Sequence, residues 1–194
     1  MARPREFNTD EAIEQAMQVF WAKGYEATSL QDLIGAMGIS KSSLYDTFGS
    51  KHELFLATID RYNETVSSCS VSRVIDGAPS PRAGIECVFR GVVDCMTKDG
   101  DKRGCYVSNC ATEVAWHDEA AAGRIAAGIE CMETSFHRAI RQGQEQGEIN
   151  KDKDPRALAR FLTGALNGLL IMAKAHSNPR ALQDMVRVTL NTLD

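Results

Sequence analysis

The segment Lys102-Arg103-Gly104-Cys105-Tyr106 sets a thiol beside two cations, at the head of a run from about Cys105 to Ala115 that reads as a short helix. The positive end of a helix and neighbouring cations favour a thiolate, and a thiolate can add to an electrophile or be oxidised reversibly. Cys110 lies five residues on, a little more than one helical turn, and could act as a resolving thiol. The plainer reading of Cys105 is a small apolar residue packed in a core. Cys87, Cys95 and Cys131 read as core residues. A metal site would have to draw on Cys105, Cys110 and His117, but no CxxC or HxxxH spacing occurs. No Walker loop, GxSxG, HExxH or Rossmann fingerprint is present, and the four His form no triad. Catalysis would therefore rest on Cys105 alone. That leaves a thiol-dependent redox or electrophile-processing protein as one function class and an interaction scaffold as another; no cofactor is implied.

A second stretch points to nucleic acid. In SLQDLIGAMGISKSSLYDTFGSK, residues 29 to 51, Gly38-Ile39-Ser40 separates two short amphipathic runs. Leu33, Ile34, Met37, Ile39, Leu44 and Phe48 can form one small core if the two helices cross steeply. At 100° per residue Ser42 and Asp46 then point away from Leu44, with Ser43 and Tyr45 on the flanks. Such a face can enter a major groove, where Ser hydroxyls meet base edges or phosphates and Asp46 can accept from a cytosine amino group. Lys51, at the head of the following helix, adds a cation and free backbone N–H groups suited to a phosphate. The alternative is an ordinary helical hairpin with a solvated outer face. Charge gives this reading little help, because residues 1 to 60 hold five Lys and Arg against nine Asp and Glu. Its support is local: between Ile39 and Lys51 there are two Lys and one acid, Asp46.

The elements that would position these groups are helical throughout. The chain has 194 residues, 43% hydrophobic and 25% charged, enough for a real core. It has no run near the ~18 uninterrupted apolar residues of a membrane span and no signal-like apolar segment at its start, so a cytoplasmic place with reduced thiols is expected. Thr9 can N-cap a first helix that Gly24 closes. Ser29 with Asp32, Ser40, and Ser50 with Glu53 mark three further helix starts. Gly38 sits where a helix end needs a left-handed residue. The polar interval from Ser68 to Pro81 reads as a loop or frayed helix end and as a boundary. Beyond it come helices from Pro81 to Met96, about Cys105 to Ala115, a long one capped by Asp118, one from Pro155 to Ala175, and a last one from Pro179 to near Leu193. The total is about nine.

Residues 9 to 60 resemble the N-terminal domain of the TetR family of bacterial transcriptional regulators. The resemblance lies in the order Phe20-Trp21-Ala22-Lys23-Gly24-Tyr25, Ala27-Thr28-Ser29-Leu30, Gly38-Ile39-Ser40-Lys41, Leu44-Tyr45, Phe48 and Lys51-His52-Glu53-Leu54. It implies an all-α fold, with a DNA-binding helix-turn-helix domain over residues 1–50. A ligand-binding and dimerisation domain would follow over 51–194, joined by the helix from about 51. It implies a homodimer without enzymatic activity, a repressor released from a palindromic double-stranded DNA operator by a small-molecule inducer or electrophile. The family pattern places Thr28, Lys41, Tyr45 and Lys51 at or near phosphates, and Ser42, Ser43 and Thr47 along the groove, with Ser40 capping the recognition helix. Asp46 departs from the large aromatic or basic residue that members often carry, and Ile34 from a commonly small one. Arg3-Pro4-Arg5 resembles the basic arm that some members lay in the minor groove.

Farther along, the Gly104-Cys105 pair with Asn109 and Glu113 resembles a subgroup, some of whose members respond to electrophiles or small unsaturated acids. Phe89, Met96, Trp116, His117, Met132, Phe136 and His137 are expected pocket-lining residues. Phe161, Ala165, Leu169 and Met172 form an apolar stripe beside a bare strip at Gly164 and Gly168. Leu182, Met185, Val186, Thr189, Leu190 and Leu193 form a second. Together they suggest a two-fold four-helix interface. A ligand that tilts the helix from about 51 would change the spacing of the two recognition helices and lower operator affinity.

Overall fold

The computed structural model describes residues 7–98, 103–175 and 178–194, the side chains of 66–70 and 96–98 excepted. Arg3-Pro4-Arg5, Lys102 and the Met96 side chain lie outside the described residues. Within them the fold is all-α. The ten α-helices are α1 (Thr9–Lys23), α2 (Leu30–Met37), α3 (Lys41–Phe48), α4 (Lys51–Tyr62), α5 (Ser68–Asp76), α6 (Pro81–Lys98), α7 (Tyr106–Glu113), α8 (Glu119–Glu145), α9 (Pro155–Ala175) and α10 (Pro179–Leu190). A π-helical turn, Asn63–Ser67, follows α4, and a 3-10 turn, Asn191–Leu193, ends the chain.

Two compact units form. One comprises the chain up to Glu64 together with Tyr106–Ile125; the other comprises Thr65–Cys105 and Ala126–Asp194. In the first unit Ala12, Ala16, Met17 and Phe20 of α1, which packs on α2 and α4, are buried, as are Leu33, Leu44, Leu54, Phe55 and Ile59. Ile13, Val19, Ile34, Met37 and Phe48 share the apolar pattern but stay half-buried. The caps are built locally. Asn8, one residue before the expected Thr9, caps α1 by accepting from the N–H of Asp10 and Glu11. Both residues are good cap formers, and the one already in extended conformation takes the role. Ser29 and Asp32 make the reciprocal capping box of α2, and Gly38 ends that helix at φ 63°, where a Cβ would be strained. Ser40 and Ser50 accept from Ser43 N–H and Glu53 N–H at the heads of α3 and α4.

Asp32 also takes the Lys23 ammonium at 2.6 Å. That hydrogen bond, then those from Ser29, hold its carboxyl down at about 2. A depressed carboxyl adds stability above its unfolded value near pH 4, and the contribution is lost as pH falls through 2. Titration by NMR is expected to show the Asp32 carboxyl titrating at about 2, below an ordinary Asp.

The second unit is built on one cluster, with Ile85, Val88, Phe89 and Val93 of α6, Met132, Phe136 and Ile140 of α8, Leu158, Leu162 and Leu166 of α9, and Leu182 and Val186 of α10. The interval after Ser68, expected as a loop or a frayed helix end, is a helix of its own as far as Asp76. Val71 and Ile75, four residues apart, are buried in this cluster, and Asp76 takes Arg138 at 2.9 Å, so tertiary packing holds a segment that is polar by composition. Cys87 and Cys95, expected in the core, are exposed, because Ile85, Val88, Phe89 and Val93 turn the other face of α6 inward. Cys131 is half-buried. Helix α9 is long and apolar enough to cross a membrane by composition, yet its Leu158, Leu162, Leu166 and Leu169 belong to the core.

Candidate nucleic-acid interface

Helix α3 is pinned by Leu44, whose side chain is fully buried, and this decides what its other faces present. Lys41, Ser42, Tyr45 and Asp46 are exposed; Ser43 and Thr47 are half-buried at the margins. At its head the Ser40 hydroxyl lies 2.9 Å from that of Ser42 and 2.8 Å from that of Ser43, and accepts from Ser43 N–H. The exposed face thus carries one cation, one carboxylate, a phenol and hydroxyls, a set able to pair with both phosphates and base edges. Thr28 is placed differently from its neighbours: it is buried, and its hydroxyl donates to the Gly24 carbonyl at 2.5 Å.

Lys51 heads α4, half-buried, with its ammonium 4.4 Å from the centroid of the Tyr25 ring. Tyr25 packs on Phe55, ring centroids 4.5 Å apart, and edge-on to His52 at 6.3 Å. His52 Nε2 lies 2.7 Å from Asp118 Oδ2. The Asp118 carboxyl is held below the usual carboxylate range, first by the Ala121 N–H it caps and then by His52. Glu113, the last residue of α7, accepts from Tyr25 N–H at 3.1 Å and from Glu26 N–H at 3.0 Å. Deeper in this unit the Tyr106 hydroxyl lies 2.8 Å from that of Thr58 and is in hydrogen-bonding contact with Cys110. Burial pushes the Tyr106 phenol up, so it stays neutral. Arg124 pairs with Asp60 at 3.0 Å, and its carbonyl accepts from Asn63. Tyr25, His52 and Asp118 carried no local signal of this role, because their partners lie more than 60 residues away in sequence.

The expected ligand-sensing residues separate. Phe89, Met132 and Phe136 do come together, buried, with the two phenyl rings stacked at 6.0 Å. Cys105 is buried as well, at 7% exposure, but outside that cluster, while Cys110 sits in the first unit beside Tyr106. Trp116 is not a core residue: it is 80% exposed, because α7 ends at Glu113 and the following turn carries the indole outward. His117 beside it is exposed too, with ring centroids 4.3 Å apart, and His137 is half-buried. An open groove between α6 and α10 has Arg90 and Arg187 on its walls, but Glu86 and Asp184 already pair with them.

Along α9 the expected interface divides in two. Leu169, Leu182 and Val186 are used inside the chain's own core and leave no surface for a partner. Met185 and Leu190 are half-buried against it. Phe161 at 48%, Ile171 at 52% and Met172 at 41% stay exposed, and so does Val188 of α10. Phe161, Ile171 and Met172 share a strip of α9 with Gly164 and Gly168, where an added Cβ would meet nothing within 4 Å.

Comparison with known proteins bears on this arrangement. Residues 12–58 match the model described as "Bacterial regulatory proteins, tetR family", and residues 81–189 that described as "Tetracyclin repressor-like, C-terminal domain". The chain is 35% identical over 195 residues to the HTH-type transcriptional regulator YezE of Bacillus subtilis, with all of both chains covered. It is 30% identical to the HTH-type transcriptional repressor ComR of Escherichia coli, over 97% of this chain and 90% of ComR. Among solved structures it is similar to a cysteine mutant of the TetR family regulator CifR complexed with a 26-bp double-strand operator DNA. There the TM-score is 0.85 at 35% identity, over 99% of this chain and 100% of the other.

Proposed function

Because the chain belongs to the TetR family of bacterial helix-turn-helix transcriptional regulators, which bind DNA and act as dimers, we propose that it is a repressor released from a palindromic operator by a small-molecule inducer or electrophile. The exposed face of α3 carries this reading: Lys41, Ser42, Tyr45 and Asp46 project from a helix whose opposite side is locked by Leu44. In the groove Ser42, Ser43 and Thr47 meet base edges, while Lys41, Tyr45 and Lys51 meet phosphates. Asp46 repels nearby phosphate and favours a cytosine amino group, so it shapes base preference. Residues 1–50 are the DNA-binding domain and 51–194 the sensing and dimerising domain. The protein works by binding, not by turnover, in the cytoplasm.

Phe161, Gly164, Gly168 and Met172 form the centre of the dimer face. A second copy covers the exposed apolar strip, and the bare glycines let two α9 backbones approach closely. The two α3 helices then address half-sites one helical turn apart, about 34–36 Å.

Cys105 is the sensing thiol in this scheme. It directly precedes α7 and is only 7% exposed, so a reagent reaches it when the 103–105 segment opens. Linkage makes the equilibrium coupling between the two sites reciprocal, and an operator-bound state that keeps the segment closed also slows alkylation. The test is binding to DNA flanking the protein's own gene at two salt concentrations, with and without N-ethylmaleimide. Release in the wild type and retention in Cys105→Ser are expected, with operator slowing alkylation of Cys105. Operator binding that persists after complete alkylation of Cys105 would return Cys105 to a packing role and leave DNA binding intact.

A further inference from the structure

We infer that Glu113 and Asp118 are positioning residues for DNA binding, acting on Lys51 through Tyr25 and His52. The inference rests on the reading that Lys51 meets a phosphate. The first unit gains the segment Tyr106–Ile125 from far along the chain, and two carboxylates at its turn grip the two sides of the Lys51 site. Glu113 holds the turn before α2 by the N–H groups of Tyr25 and Glu26. The Tyr25 ring so placed carries the Lys51 ammonium at 4.4 Å. Asp118 holds His52, the residue after Lys51, at 2.7 Å.

Two observations argue against a chance contact. The seat is shaped for the carboxylate: a Cβ on Gly24 would lie 2.8 Å from Glu113 Oε2, so that carboxylate occupies the space the glycine leaves. Both acids also spend oxygens on internal donors, Glu113 on two backbone N–H groups and Asp118 on Ala121 N–H and His52. Negative groups so near a phosphate-binding lysine would weaken DNA binding if left free. Tied down, they orient it. The cation–π contact keeps the ammonium from roaming over its four-carbon stem, so less freedom is lost when it meets a phosphate. Since α7 starts at Tyr106, directly after Cys105, a disturbance that shifts α7 would withdraw Glu113 from Tyr25 and loosen Lys51.

The test measures operator affinity of the full-length protein against salt for Glu113→Gln, Asp118→Asn, Tyr25→Leu and Lys51→Gln. Asn is as good a helix cap as Asp, so Asp118→Asn keeps the head of α8. Each variant is expected to bind about tenfold more weakly, with the slope of log K against log salt shallower by about 2 across the dimer, one phosphate per protomer. Each variant stays folded and dimeric at the assay temperature, with a melting temperature lower by a few degrees at most, and amide exchange at Tyr25 and Glu26 accelerates in Glu113→Gln. A merely structural role would leave the salt slope of the folded protein unchanged, whatever the melting temperature. If Lys51→Gln flattens the slope while Glu113→Gln and Asp118→Asn do not, the positioning role is overturned and the phosphate contact stands. An unchanged slope in Lys51→Gln removes the phosphate contact and the positioning role with it. Should Glu113→Gln fail to fold, Tyr25→Leu, which keeps the Glu113 acceptors, decides by the same slope.

Discussion

Phe161→Glu is expected to yield a monomer that no longer holds its operator. Phe161 is half exposed on α9, at one end of the strip that continues through Gly164 and Gly168 to Ile171 and Met172. A dimer that covers this strip must desolvate whatever occupies position 161, and two-fold symmetry brings both copies into one interface. A carboxylate there is buried without a partner, twice, and the dimer dissociates. Each monomer keeps an intact α3, so DNA binding does not vanish; the effective concentration of the second half-site does. Operator affinity then falls by about 10²–10⁴-fold, while binding to an isolated half-site changes little. Sedimentation and operator titration together check this. A dimer that persists with full operator affinity would move the interface elsewhere. Ala in place of Phe161 is expected to weaken the dimer without abolishing it, since it adds no charge.

Phe136→Ala is expected to destabilise the second unit by about 3–5 kcal/mol. Phe136 is fully buried at the centre of that unit's core and stacks on Phe89. Helices α5, α6, α8, α9 and α10 all contribute residues to the same cluster, so the cavity cannot be closed by moving one of them alone. In a chain this long the loss appears as a melting temperature lower by about 10 °C. Phe136→Leu keeps most of the volume and should recover more than half of the difference. Calorimetry on the three proteins measures it. Because the same unit carries the exposed strip of α9, Phe136→Ala should also make dimerisation steeply temperature-dependent.

Much of the first unit was legible because its signals are local. Ser29 with Asp32, Ser40, Ser50 and Gly38 each report on a cap within three residues, and the structure uses all of them. The outward direction of Ser42 and Asp46 follows from Leu44 by helical geometry alone. Helix α5 was not legible: Val71 and Ile75 in the core and Asp76 on Arg138 hold it, and their partners are on other helices. The apolar stripes of α9 and α10 were visible, but both helices are apolar on more than one side. Periodicity could not say that Leu169, Leu182 and Val186 belong to the core while Phe161 and Met172 remain outside. Trp116 was misplaced for a related reason. Helix α7 ends two residues earlier than expected, and that short difference carries the indole from a core face into solvent. The contacts of Glu113 and Asp118 span 60 to 90 residues, and nothing in the local pattern of either announces its partner.

The exposed indole has an optical consequence. The chain contains two tryptophans. Trp21 is set among the rings of Tyr62 and Tyr106, while Trp116 stands in water with its N–H donating to the carbonyl of Glu113 itself. The two chromophores therefore emit from dissimilar surroundings, the outer one at longer wavelength and open to iodide. Because the Trp116 indole bonds the main chain of the residue whose carboxylate grips Tyr25, its polarisation and quenching are expected to change when that hold on the turn is lost. The molecule carries its own fluorescent gauge there, without any label.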